Sequence, residues 1–218
     1  MLAEDAALLF LSIYGSISYG LLYGFVVAFP IAFSEYRHFG FIEAYLPDIT
    51  IIIGVLVTTV LLCVTNPKYV RTCESAGKLV PEERLFNMSI AAIGLFIGLF
   101  IFAWTASFTW VHWIAPVIAG VIMGFSTSTI FITGILYIVE VYRQYATSAL
   151  AVYAVLRALI AMMFLLTNRL MIRNMTFQGA FSFFGGLAVI VSPGPFILRR
   201  KGKIWRSRSK WGNITTQL

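Results

Sequence analysis

Six long apolar runs constrain this chain more than any motif does. They fall at roughly 7–33, 44–64, 88–106, 113–139, 145–168 and 179–198. A helix that crosses a bilayer needs about 20 mostly apolar residues. In hydrocarbon every backbone N–H and C=O must be satisfied within the protein, which leaves helices or closed barrels. The runs are too long for barrel strands and lack their alternation of apolar and polar residues. The expected fold is therefore an all-α membrane protein, a six-span transmembrane helical bundle forming one domain over 1–218. Only 11% of the residues are charged, against about 25% in soluble domains, so a water-soluble core is excluded. The start, "MLAEDAALLF", is acidic where a secretory signal would be basic. The first run is accordingly expected to be retained as a span.

The net charge of +7 would suggest nucleic acid in a soluble protein. Here the basic residues lie between and after the apolar runs, so they set orientation and no nucleic-acid partner is expected. Six spans put both termini on one side. That side also takes the polar linker 65–87, the turn before the fifth span and the basic tail 199–218. It carries Lys68, Arg71, Lys78, Arg84, Arg143 and the run from Arg199 to Lys210. The other side has only Arg37, Arg169 and Arg173. An excess of Lys and Arg marks the cytoplasmic face, so both termini are expected there.

Within the spans, polar residues are rare enough to be informative. "ALAVYAVLRALIAMMFLL" places Arg157 about 18 Å into the fifth span. An arginine at such depth costs about 2.5–3.5 kcal/mol on insertion scales, so it should face protein or a wet cavity rather than lipid. It is either a cavity residue that meets substrate or a brace bonded to carbonyls of a neighbouring span. Tyr153 lies one turn before it, on the same face. In the first span Ser12, Ser16, Tyr19 and Tyr23 form one helical stripe, suited equally to a wet cavity or to interhelical hydrogen bonds. In the fourth, Ser126, Thr129 and Thr133 share a face, and Pro116 permits a kink. "GLLYG", "GLFIG" and "GVIMG" are Gly-xxx-Gly spacings that together imply close helix packing.

At the expected cytoplasmic end of the fourth span stands Glu140, followed by Arg143. Lys68 and Arg71 open the linker on the same side. These four are candidates for a cytoplasmic gate, with a solvated helix-end acid as the alternative reading of Glu140. Asp48, near the outer end of the second span, is shallow enough to reach headgroups. No span holds a carboxylate at mid-depth. Enzyme chemistry finds no constellation. The two histidines, His38 and His112, fall outside the spans, there is no HExxH, and "GFSTS" lacks the second glycine of a nucleophile elbow. Cys63 and Cys73 have no metal-ligand spacing and read as free thiols. Neither a metal nor a cofactor is expected.

Several stretches resemble a known family. "LSIYGSISYGLLYGFVVAFPIAF", with its "YGLLY" and "AFP", is similar to the seventh span of fungal major facilitator superfamily proteins of the twelve-span drug:proton antiporter type, which include multidrug and polyamine exporters. "NPKYVRTCESAGKLVPEERL" resembles the loop after their eighth span, and "FAWTASFTWVHWIAPVIAGVIMGF" the ninth-to-tenth junction. "LYIVEVYRQYATSALA" resembles the start of the eleventh, and "PGPF" the end of the last. The resemblance runs in order from about Leu8 to Trp211. It implies the carboxyl-terminal six-span half of such a transporter, with no catalytic residues. The cavity residues would be Arg157, Tyr153, Ser12, Ser16, Tyr19, Tyr23, Ser126, Thr129 and Thr133. Lys68, Arg71 and Glu140 would match the gate charges, with Arg143 beside them. It further implies proton-coupled alternating access in complete relatives and small amphipathic or cationic substrates such as drugs or polyamines. Membrane lipid and a separate amino-terminal half are the implied partners, and the plasma membrane the implied location. Asn66, Tyr153, Ala161, Met163, Leu165 and Gly179 depart from the family pattern, and the eleventh span thereby loses two glycines and a proline. The competing expectation is a diverged, non-transporting relative that docks on other spans.

Overall fold

The computed structural model describes residues 6–45, 48–77 and 81–200. Lys78 and the tail beyond Arg200 lie outside the described residues. All regular structure among those described is helical. The long helices are α1 (Ala6–Ile31), α3 (Ile49–Ala76), α4 (Leu85–Thr105), α5 (Ile114–Tyr142), α6 (Ala146–Asn174) and α7 (Phe177–Val191), with a short α2 (Phe41–Tyr45). Five candidate spans are long and apolar enough to cross a membrane: Ala7–Tyr36, Ile42–Ser75, Leu85–Thr105, Ile114–Asn174 and Phe177–Arg200. The fourth is 61 residues long. A 3-10 turn at Arg143–Tyr145 divides it into α5 and α6, each of 29 residues. The molecule is an integral membrane helical bundle.

Two helices depart from the apolar runs for identifiable reasons. α1 contains Pro30, which cannot donate a backbone hydrogen bond. The helix loosens there into a π segment, Ala32–Tyr36, and the Ser34 hydroxyl donates to the Pro30 carbonyl at 2.7 Å. α3 does not stop where its apolar run ends near Val64. It continues through Pro67 and the first part of the linker to Ala76, and ends at Gly77, whose φ of 62° supplies the left-handed cap.

Glycine sets how closely the helices meet. α5 packs against α1, α3, α4 and α6, while α1 packs on α6 and α4 on α7. At the α3–α5 crossing a methyl on Gly54 would strike the backbone of Val121, Gly124 and Phe125, and one on Gly124 would strike the backbone of Ile51. Gly94 and Gly98 face Ser126, Ile122 and Met123 of α5, and Gly20 faces Phe164 of α6. The Gly-xxx-Gly spacings thus lie on three interhelical seams. Over the α3–α5 seam the Thr58 hydroxyl lies 3.1 Å from that of Thr129 and 3.0 Å from the Phe125 carbonyl.

The core under these seams is aromatic. Phe25 and Phe29 of α1 meet Phe102 of α4 at centroid distances of 4.4 and 5.1 Å, and Phe102 meets Phe181 of α7 at 5.1 Å. At one end of the bundle Arg37 closes α4. Its guanidinium donates to the carbonyls of Thr105 and Ala106 at the end of α4, and to that of Phe108 just beyond it, at 2.8–3.1 Å. Deep between α1 and α6, the Asn168 amide donates to the Gly24 carbonyl at 2.7 Å. By contrast α3 and α6 bury little. Ile52, Leu56 and Val60 are exposed on the first, as are Val155, Leu159, Met163 and Leu166 on the second.

Candidate functional site

α6 carries Tyr153 and Arg157 one turn apart, and the two do different things. Tyr153 is 3% exposed. Its ring sits in the notch left by Gly15 of α1, where any side chain would collide with it, and its hydroxyl comes near Gly134 of α5. Arg157 reaches past it toward the partly open surface between α1, α5 and α6. Its guanidinium carbon lies 4.4 Å from the centroid of the Tyr19 ring and 4.4 Å from that of Phe131, with Tyr153 at 5.9 Å. Tyr19 and Phe131 therefore both press on the charge. The Tyr19 hydroxyl lies 3.4 Å from that of Tyr23, which is 36% exposed, so a pair of phenols leads from the cation to the open side. Arg157 Nη1 is buried without a hydrogen-bond partner, and the two ion pairs among the described residues do not involve it.

The other hydroxyls expected around Arg157 are distributed over separate seams. Ser12 and Ser16 are fully buried on α1, their oxygens unpaired. Ser126 faces Gly94 on the α4–α5 seam. Thr129 belongs to the α3–α5 contact through Thr58. Thr133 lines a cleft of about 530 Å³ that also holds Lys68, Tyr69, Arg84 and Asn87. The structure brings Arg157, Tyr153, Tyr19 and Tyr23 together and does not join Ser126, Thr129 or Thr133 to them.

Near that cleft, Glu140 has partners that sequence reading did not supply. Arg84 Nε lies 2.6 Å from its Oε1, and the Tyr69 hydroxyl donates to its Oε2 at 2.8 Å. The Arg84 guanidinium also stacks over the Tyr69 ring at 4.0 Å. The acid, the cation and the phenol thus tie the ends of α5, α4 and α3 together. Lys68 lines the cleft, whereas Arg71 and Arg143 are exposed. Phe131, Arg84 and Tyr69 were missed as site residues. An aromatic in an apolar span carries no signal of its own. Arg84 and Tyr69 stand 56 and 71 positions before Glu140, so nothing local couples them. A second cavity, about 760 Å³, opens at the opposite end of the bundle, with Glu35, Asp48, Arg169 and Arg173 in its wall.

A helical bundle with a ring-held cation on one face, and an Arg84–Glu140 ion pair near one end, is a polytopic membrane protein. No protein-family model and no solved structure matches the chain. Curated proteins do match. An uncharacterised MFS-type transporter of Schizosaccharomyces pombe is 36% identical over 96% of this chain and 41% of its own length. The major facilitator superfamily multidrug transporter FLU1 of Candida albicans is 33% identical over 98% of this chain and 35% of its own. The multidrug transporter TPO1_1 of Candida glabrata is 36% identical over 96% and 37%. Over nearly its whole length the chain is similar to transporters of the major facilitator superfamily, and it spans 35–41% of the length of these three relatives.

Proposed function

We propose that the chain is the carboxyl-terminal six-span half of a major facilitator-type exporter of small amphipathic compounds, with both termini cytoplasmic, in the plasma membrane. The observation that carries this is the match to named transporters over nearly all of this chain but only 35–41% of theirs. Counting α5 and α6 as separate spans supplies the six. The superfamily builds its substrate site at mid-membrane between two such halves, and switches access by rocking one against the other. α3 and α6, with their uncovered apolar faces, would supply this half's side of that junction, and Arg157 with Tyr19 and Tyr23 would supply its wall. The Glu140–Arg84–Tyr69 lock would hold the cytoplasmic ends together in one of the two states. Proton coupling, which the resemblance implies for complete relatives, would rest on protonatable groups outside this chain's mid-depth residues. Drugs and polyamines are the substrates the resemblance implies.

A chimera tests the proposal. The segment of the Candida glabrata transporter that matches this chain is replaced by the chain itself, and drug efflux is measured in cells lacking other exporters. The expected result is energy-dependent efflux above the empty-vector level. Normal surface expression with no efflux of any compound the parent exports would overturn the reading. The rival, a non-transporting relative that docks on other spans, predicts that second outcome.

A further inference from the structure

We infer that the Arg157 site receives an acceptor oxygen on an aromatic compound, as in an aromatic carboxylate or amide, and rejects organic cations. This rests on the proposed transporter reading only for its purpose; the site itself is a matter of side-chain geometry. The ring faces that would cage an ammonium group belong here to Tyr19, Phe131 and Tyr153. Arg157 already occupies them, at 4.4, 4.4 and 5.9 Å. A second cation about 6 Å away, at an effective dielectric near 20, would be weakened roughly a hundredfold by repulsion alone. No acid offsets this, since the two ion pairs among the described residues are Arg84–Glu140 and Arg199–Glu83. With rings pressed on it, the guanidinium offers a ligand its edge. That edge carries donors only, and no acceptor among the described residues is hydrogen-bonded to it. Nη1 is buried and unpaired, so the site is short of one oxygen. Tyr23, part-exposed beside Tyr19, supplies a ring for the rest of the ligand to lie on.

Three probes of one shape separate the alternatives: 1-naphthoate, 1-naphthamide and 1-naphthylmethylammonium. Each is measured by equilibrium dialysis against the full chain in nanodiscs of zwitterionic lipid, with empty discs subtracted. We expect saturable binding of naphthoate, weaker binding of the amide, and ammonium binding at least tenfold weaker than naphthoate. Arg157→Gln should lower naphthoate affinity at least tenfold and narrow the gap to the ammonium probe, while Arg157→Lys keeps the preference for the anion. Ammonium binding as tight as naphthoate, no saturable naphthoate binding, or naphthoate binding indifferent to Arg157→Gln would each overturn the inference. The ranking of probes on the unaltered chain decides the matter even where a variant fails to fold. Failure of the chimera with the ranking intact would remove the transporter reading and leave the site. Efflux of cations alone by the chimera would do the reverse.

Discussion

Arg157 can be kept within an apolar helix, with no counter-ion among the described residues, because of what surrounds it. The insertion cost of about 2.5–3.5 kcal/mol is met in part by the rings of Tyr19 and Phe131, each worth about 0.5–2 kcal/mol depending on desolvation. Tyr153, the residue most suited by spacing to share a cavity with it, is instead packed into the Gly15 notch. In a background lacking Cys63 and Cys73, a cysteine at Tyr23 should therefore react with a small polar thiol reagent in intact membranes. Cysteines at Tyr153 and Ser16 should stay silent; labelling of both would place the wet path along a different face of α1 and α6. At Glu140 the arithmetic is different. Its side chain is 15% exposed and that of Arg84 18%, between the surface and buried limits for ion pairs. Unfolding of Glu140→Gln, Arg84→Gln and the double variant in mixed micelles should give a coupling of about 1–3 kcal/mol. Tyr69→Phe should cost about 0.5–1.5 kcal/mol. A coupling near zero would reduce the lock to a surface contact. Arg157 was legible because a charge inside an apolar run is a one-dimensional signal. Tyr19 and Tyr23 followed from helical period. Phe131 and Arg84 were not legible, since what singles them out is a neighbour on another helix.

At the scale of the helices, α3 depends on one narrow strip. Thr50, Gly54 and Thr58 are its buried residues among those described, and all three lie one turn apart against α5. Backbone meets backbone there, so the contact cannot yield to a flexible side chain. Gly54→Ala or Gly124→Ala should separate the pair and destabilise the chain by about 1–3 kcal/mol, seen as a lower thermal midpoint in detergent. Gly186→Ala, where an added methyl meets nothing within 4 Å, is the control and should change little. Equal midpoints for all three would mean that α3 is held by something other than this strip. The spacing "GVIMG" foretold a close contact, though not its partner. α3 runs twelve residues beyond the apolar run that ends at Val64, because hydropathy reports the solvent a residue prefers and not where the helix stops. Hydrogen bonding within a helix does not stop where the apolar residues do, and Gly77 marks the end better than Val64 does.

At the scale of the whole molecule, its behaviour depends on its orientation in the bilayer and on what covers α3 and α6. The positive-inside argument puts Cys73 on the cytoplasmic side. With Cys63 replaced by serine, an impermeant maleimide should label Cys73 in inside-out vesicles and not in intact cells, and the reverse pattern would invert the orientation. The exposed faces of α3 and α6 lead to the remaining prediction. Ile52, Leu56 and Val60 on α3 and Val155, Leu159 and Met163 on α6 are all more than 45% exposed. Lipid tails can cover such residues as well as protein can, so nothing obliges the isolated chain to unfold. Alternating access is a different requirement. It needs a second wall for the first to rock against, and lipid supplies no such wall. The purified chain in liposomes should accordingly be folded, bind 1-naphthoate and yet move it no faster than empty vesicles do. Saturable uptake by the chain alone would show that it makes its own second wall, with a further copy of itself in that place. Absence of both binding and uptake from a folded sample would count against the Arg157 site as well.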